Sequence, residues 1–169
     1  MQIGLIKTRS GTNQEALTIF KQVVSEYSDY KEAKDALSSI RSVYVSMGQM
    51  GEYNSYISSL DFMDISHTEI DSTNYEAAEY QYTSGNCTNA IEAFETYLNT
   101  FNPGIFTTNA HYYIAECMGK LNRDQEALPH FKYVSDQPVN LFTEPALLGT
   151  SALLYQKKNY SEAANYFLQ

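Results

Sequence analysis

The sequence predicts an all-α chain, an α-solenoid of antiparallel helix pairs with a repeat period of 36–37 residues. Two observations lead to this fold class. A small residue followed four positions later by an aromatic ring recurs at a nearly constant interval, and a turn-forming residue precedes each copy at a constant distance. No stretch alternates apolar and polar residues over a useful length, so no strand is expected.

The repeat is clearest in the second helix of each pair. Five segments align, and their equivalent positions, 37, 37, 37 and 36 residues apart, are Ala16, Tyr53, Ala90, Ala127 and Ala163. In four of them an aromatic ring follows one helical turn later, at Phe20, Phe94, Phe131 and Phe167. The i,i+4 spacing places both residues on one helical face. The copy with Tyr53 and Ile57 is the most divergent.

The ends of the first helices are marked by residues that tolerate a left-handed backbone. Gly11, Gly48 and Gly85 each stand five residues before the small position, Asn122 is the next best residue there, and Lys158 is a poorer fit. With the apolar periodicity, these stops predict helices at 1–9, 13–27, 31–47, 50–60, 68–84, 87–101, 106–121, 124–135, 143–157 and 160–169.

Helix pairs with small and aromatic residues at these places resemble tetratricopeptide (TPR) repeats, which are usually 34 residues long. The family's small first-helix position maps to Gly4, Arg41, Ala78, Ala115 and Ser151. Arg41, Asn74 and Gln81 depart from the family pattern. The resemblance implies a right-handed solenoid and one array over residues 1–169. Its expected repeats are 1–30 (partial), 31–67, 68–104, 105–140 and 141–169 (partial).

The length of the repeat unit and the amino-acid sequence of segment 73–104 resemble those of the TPR arrays of bacterial cell-envelope proteins. This resemblance implies a bacterial origin and a place in the cell envelope or periplasm. Met1 and Gln169 both fall inside predicted helices. Because each repeat of a solenoid buries itself against a neighbour, we expect the chain to be a fragment of a longer array.

Charge is distributed unevenly along the chain. Eleven basic and twenty acidic side chains leave a formal net charge of −9. The stretch from Ser42 to Gly119 holds ten of the carboxylates and no Lys or Arg. This acidity argues against nucleic acid as a partner, and no apolar run approaches the roughly 18 residues of a membrane span. The acidic stretch is either a solvated face or a surface that attracts a basic partner.

The family resemblance implies that first helices line the concave, ligand-binding face. Transferring the register residue by residue gives a candidate peptide-binding groove made of Tyr75, Glu79, Tyr82, Tyr112, Glu116 and Tyr155. Tyrosine offers a large contact area with few rotors, and carboxylates between the rings would favour Lys or Arg on a ligand. The alternative is that these tyrosines pack in the core. The carboxylate-holding groove of chaperone-binding TPRs is not expected, since Lys120 is the lone cation at the equivalent positions.

No pattern indicates catalysis, a metal or a cofactor. His111 is expected to pack in the interior and His130 to lie on a helix surface, while Cys87 and Cys117 lack zinc-type spacing and a neighbouring base. The acidic connector 61–71 lacks the glycine and ligand spacing of a calcium loop. The sequence therefore predicts a non-enzymatic protein- or peptide-binding scaffold. The alternative is a structural spacer or self-association module of a larger protein.

Overall fold

A computed structural model of the chain describes residues 1–60 and 66–168, and this part is built from helices without a strand. The ten helices are α1 (Gln2–Arg9), α2 (Asn13–Glu26), α3 (Lys31–Met47), α4 (Met50–Ser58), α5 (His67–Thr83), α6 (Cys87–Thr100), α7 (Thr107–Lys120), α8 (Asp124–Ser135), α9 (Thr143–Gln156) and α10 (Tyr160–Phe167). The predicted all-α arrangement of repeated helix pairs is confirmed for the described residues.

All five first helices end in the same way. One or two positions after each helix a residue has a positive φ, between 58° and 78°, and these residues are Gly11, Gly48, Gly85, Asn122 and Lys158. At each end two backbone hydrogen bonds close the last turn; Gly48 donates to Val45 and Gln49 to Tyr44, for example. This pair of bonds satisfies carbonyls that a helix end would otherwise leave unpaired. Lys158 adopts the left-handed conformation without being a glycine or asparagine.

The helices group into two compact units, residues 1–70 and 71–169, with the boundary inside α5. In the first unit α2 packs against α1 and α3. Gly4 is buried against the ring of Phe20, so closely that an added Cβ would lie 2.4 Å from that ring. The small position therefore allows α1 and α2 to approach each other.

In the second unit, the small positions of both helices in the α5–α6 and α7–α8 pairs are fully buried. These residues are Ala78, Ala90, Ala115 and Ala127. The ring of Phe94 is also fully buried, whereas Phe131 is half-buried and Phe167 is 69% exposed. The Ala-x-x-x-Phe pattern thus marks core positions in the middle of this unit, and its ring lies at the surface in α10.

The connection between α6 and α7 is anchored by a buried carboxylate of α5. Asp71, only 2% exposed, accepts a 2.6 Å hydrogen bond from the Tyr97 hydroxyl and a 2.9 Å bond from the Ile105 backbone N–H. The Tyr97 oxygen in turn accepts the Phe106 N–H at 2.9 Å. Asp71 is the last residue of the acidic connector 61–71, and its hydrogen bonds position the start of α7. Residues 61–65 of that connector lie outside the described residues.

Candidate peptide-binding site

The site begins with a tyrosine–glutamate pair on α5. The hydroxyl of Tyr75 donates a 2.9 Å hydrogen bond to Oε1 of Glu79, one helical turn further on. The ring is only 5% exposed and stacks on Phe106 with centroids 4.2 Å apart. Tyr75 therefore packs in the core, and its hydroxyl contacts the carboxylate of Glu79.

The same arrangement recurs one repeat later on α7. Tyr112 donates a 3.2 Å hydrogen bond to Oε1 of Glu116, again one turn further on. Its ring stacks on Phe142 with centroids 4.6 Å apart, as that of Tyr75 does on Phe106. Each of these residues lies 36 or 37 positions after its counterpart in the preceding repeat. The contact is thus shared by these two successive repeats.

Two further hydrogen bonds connect α5 to α7. Tyr82, at the end of α5, donates to Oε2 of Glu116 at 2.9 Å, and Asn109, near the start of α7, donates to the Tyr75 oxygen at 3.3 Å. Both bonds join residues 34 positions apart. They bring together Tyr75, Glu79, Tyr82, Tyr112 and Glu116, which we call the tyrosine–glutamate cluster.

Tyr113 packs against the cluster, although the sequence register did not select it as a groove residue. Its ring lies 4.4 Å from that of Tyr82, 5.6 Å from Phe94 and 5.6 Å from Phe142. It therefore fills the space between the cluster and the core. The signal that could have found it is the doublet of Tyr112 and Tyr113, since adjacent helical residues point about 100° apart and can line both a surface and the layer below it.

Burial raises the pKa values of the tyrosine hydroxyls in and beside the cluster. Desolvation by burial, reinforced by hydrogen bonding to Glu116 and by its charge, raises the pKa of Tyr82 to about 12. Burial and the charge of Glu116 likewise raise the pKa of Tyr112 to about 12. The pKa values of Tyr75 and Tyr113 are also raised, mainly by burial. At neutral pH Tyr82 and Tyr112 are protonated, so they donate and the two oxygens of Glu116 accept.

A basic side chain lies at the edge of the cluster. The Nζ atom of Lys120 is 4.6 Å from the centroid of the Tyr82 ring and 3.6 Å from Oε2 of Glu116. It also donates a long, 3.4 Å hydrogen bond to the Tyr82 oxygen. The lone cation noted in the sequence therefore reaches the cluster itself.

Tyr155, the sixth residue of the predicted groove, lies in a different place. Its ring is 65% exposed and packs edge-on against Tyr160, with centroids 5.1 Å apart. Both rings line a pocket of about 480 Å³ between α9 and α10, together with residues such as Leu148 and Phe167. The walls of this pocket are mostly apolar, so it differs in chemistry from the tyrosine–glutamate cluster.

The histidines and cysteines form contacts that the sequence did not indicate. Nδ1 of His111 and Nδ1 of His130 are 2.9 Å apart in a hydrogen bond, and both rings are half-buried. Burial, then the charge of His130, lowers the pKa of His111 to about 4. His130 is thus a packing residue as well as His111.

Cys87, the first residue of α6, forms a disulfide with the buried Cys117 of α7, with Cα atoms 5.0 Å apart.

Within residues 1–60 and 66–168, no three His, Cys, Asp or Glu side chains come together as a metal ion would require. None of the described helices combines the length and apolarity needed to cross a membrane.

No protein-family model matches the chain, and no curated protein matches it. Among solved structures, the chain is similar to MamA, at 17% identity over 99% of this chain and 91% of that one, with a TM-score of 0.49. It is also similar to the nearly identical TPR-like repeats of a putative kinesin light chain from Podosopora anserina, at 14% identity over 99% and 89%, with a TM-score of 0.47. A tetratricopeptide repeat protein from Parabacteroides merdae aligns at 18% identity over 98% of this chain and 60% of that one, with a TM-score of 0.38.

Proposed function

We propose that the chain is a non-enzymatic scaffold that binds a basic protein segment or peptide on the concave face of its repeats, at the tyrosine–glutamate cluster. The observation that carries this proposal is the position of Glu116. Its two oxygens accept hydrogen bonds from Tyr82 and Tyr112, on two successive first helices, while its side chain remains 32% exposed. A carboxylate that is oriented by neutral donors and still open to solvent is suited to pair with a cation.

Charge supports a basic ligand. Residues 71–169 carry eleven carboxylates and five Lys or Arg side chains, for a formal net charge of −6. A field of this sign attracts cations from solution and repels anions. The half-buried rings of Tyr82 and Tyr112 add a contact surface that loses little conformational entropy on binding.

Peptide selection from a displayed random library is the direct test, followed by affinity measurements on the selected peptide. We expect enrichment of Lys and Arg, and a loss of affinity of about tenfold for Glu116→Gln, because a charge-assisted hydrogen bond is removed. Glu92→Gln, an exposed carboxylate on α6, is the matched control. Equal affinities for the two variants, or peptides without basic residues, would exclude this site. Alanine variants of Tyr75 are unsuitable, since its buried ring supports the core.

The pocket between α9 and α10 favours a second candidate function, self-association. Tyr155 and Phe167 expose large rings beside it, and contiguous exposed apolar surface commonly marks a protein interface. If this function is correct, sedimentation velocity should show an oligomer whose population rises with concentration. Phe167→Asp should return it to a monomer. A wild-type chain that stays monomeric at all concentrations would rule this function out.

A further inference from the structure

Lys120 occupies the position that a ligand's basic side chain would take. It is the last residue of α7, one helical turn after Glu116. Its Nζ atom lies over the face of the Tyr82 ring, 4.6 Å from the centroid, and 3.6 Å from the Glu116 carboxylate. An aromatic face on one side and a carboxylate on the other are the two groups that hold an ammonium or guanidinium in protein complexes.

The receptor groups are held in place independently of Lys120. Glu116 receives one hydrogen bond on each oxygen, from Tyr112 and from Tyr82. The ring of Tyr82 is supported from within the unit by Tyr113, at 4.4 Å. The carboxylate and the aromatic face are therefore prearranged, which lowers the entropic cost of binding a cation between them.

The interactions of Lys120 with Glu116 and Tyr82 are themselves weak. Its side chain is 55% exposed, and its Nζ–Oε2 distance of 3.6 Å to Glu116 exceeds the roughly 2.7–2.9 Å of a strong charge-assisted hydrogen bond. Its bond to the Tyr82 hydroxyl is also long, at 3.4 Å. Exposed ion pairs of this kind contribute little to stability, so a competing cation can displace this one.

We infer that the Tyr82–Glu116 pair is a receptor for one Lys or Arg side chain of the bound peptide, and that Lys120 fills it as an intramolecular competitor until the peptide displaces it. This inference rests on the proposed function and adds to it a ligand group and a built-in competitor. Lys120 then sets a threshold for affinity. A ligand binds only if its cation, together with its other contacts, displaces the Lys120 side chain from the Tyr82–Glu116 pair.

The test uses a fluorescein-labelled hexa-arginine peptide, with hexa-citrulline as the uncharged control of the same shape, and fluorescence anisotropy as readout. Lys120→Met removes the competitor and should tighten hexa-arginine binding by about three- to fivefold, the upper part of the range expected for releasing an exposed ion pair. Lys157→Met, which removes the same charge from an exposed position at the end of α9, should change affinity by less than about twofold, since screening weakens distant charges.

A double variant separates the competitor from general charge effects. In the Glu116→Gln background, Lys120→Met should no longer tighten binding, because the site for which it competes is gone. Equal effects of Lys120→Met and Lys157→Met would overturn the inference. If Glu116→Gln weakens hexa-arginine binding and Lys120→Met does not strengthen it, the binding site stands and only the competitor is rejected. If neither change has an effect, the proposed function fails as well. Hexa-citrulline binding as tight as hexa-arginine binding would reject the cation receptor.

Discussion

The hydroxyl of Tyr82 in α5 donates a 2.9 Å hydrogen bond to Oε2 of Glu116 in α7, across 34 residues of sequence. The bond joins the first helices of two successive repeats. It orients a carboxylate that stays open to solvent. It also gives the half-buried Tyr82 hydroxyl an acceptor for its proton, and this leads to a measurable dependence of stability on pH.

Tyr82→Phe should reduce the loss of stability at alkaline pH. Burial and Glu116 raise the pKa of Tyr82 from 10 to about 12 in the folded chain, so the folded state holds this proton more tightly than the unfolded state does. The contribution is complete below pH 10 and is lost as the pH rises through about 12. Urea unfolding across this interval should show a smaller decline for the variant than for wild type. Tyr80→Phe, which removes an exposed hydroxyl from the same helix, is the matched control. Equal declines in both variants would contradict this account.

Asp71→Asn should destabilise the second unit. Both carboxylate oxygens accept hydrogen bonds, from the Tyr97 hydroxyl and the Ile105 N–H, and an amide offers only one acceptor oxygen. One buried donor then faces an NH₂ group, at a cost of about 1–3 kcal/mol in the free energy of unfolding. Urea denaturation monitored by circular dichroism measures this loss. Glu92→Gln, the same chemical change at an exposed position, should cost less than about 0.5 kcal/mol. Similar losses in the two variants would show that the network does not contribute.

Gly4→Ala should destabilise the first unit, although alanine favours helices. The added Cβ would lie 2.4 Å from the fully buried ring of Phe20, and moving that ring or separating α1 from α2 costs about 1–3 kcal/mol. Gly51→Ala is the control, because a Cβ in that helical position meets nothing within 4 Å and should stabilise by about 0.5–1 kcal/mol. Thermal unfolding of the two variants should therefore shift in opposite directions. A stabilised Gly4→Ala variant would mean that α1 and α2 do not pack closely.

Reduction of the disulfide should lower stability. Cys87 and Cys117 are 30 residues apart, and a cross-link closing a loop of this size contributes about 3.6 kcal/mol by restricting the unfolded chain. Urea unfolding with and without a reductant measures the difference. The double variant Cys87→Ala, Cys117→Ala should be insensitive to reductant, which controls for other effects of the reagent. If reductant leaves the wild-type transition unchanged, the cross-link does not contribute to stability.

His111→Phe should weaken the response of stability to acid. Burial, then the charge of His130, lowers the pKa of His111 from 6.5 to about 4, so the folded state favours the neutral imidazole. This contribution is present above pH 6.5 and is lost as the pH falls through about 4. Phenylalanine preserves a ring to stack on Tyr133 and cannot take up a proton. Between pH 6.5 and 4 the unfolding free energy of wild type should therefore fall more steeply with decreasing pH than that of the variant. Parallel curves would show that the histidine pair does not titrate in this way.

The helix ends could be read from the sequence because they depend on local interactions. Gly11, Gly48, Gly85 and Asn122 stand at the stops that the structure has, since a left-handed residue closes a helix with bonds to its own last turn. The buried small positions were also predictable, as Ala78 and Ala115 recur at the helix spacing that faces a neighbour. That residues 1–169 form one array stays a prediction.

The candidate site could be predicted only in part. The register selected Tyr75, Glu79, Tyr82, Tyr112 and Glu116, which the structure brings together, and it also selected Tyr155, which lies between α9 and α10. A helical register states which face a residue occupies and not which partner lies opposite. Tyr113 was missed for the same reason: it packs beneath the surface that its neighbour Tyr112 lines.

The sequence alone determined the helices, their stops and the spacing of the small and aromatic residues, because each follows from contacts within a few positions along the chain. Tertiary structure alone decided the bond from Tyr82 to Glu116, the pairing of His111 with His130 and the disulfide between Cys87 and Cys117. These contacts join residues 19 to 34 positions apart. They depend on how neighbouring helices are rotated and spaced, and the packing of their side chains sets that geometry.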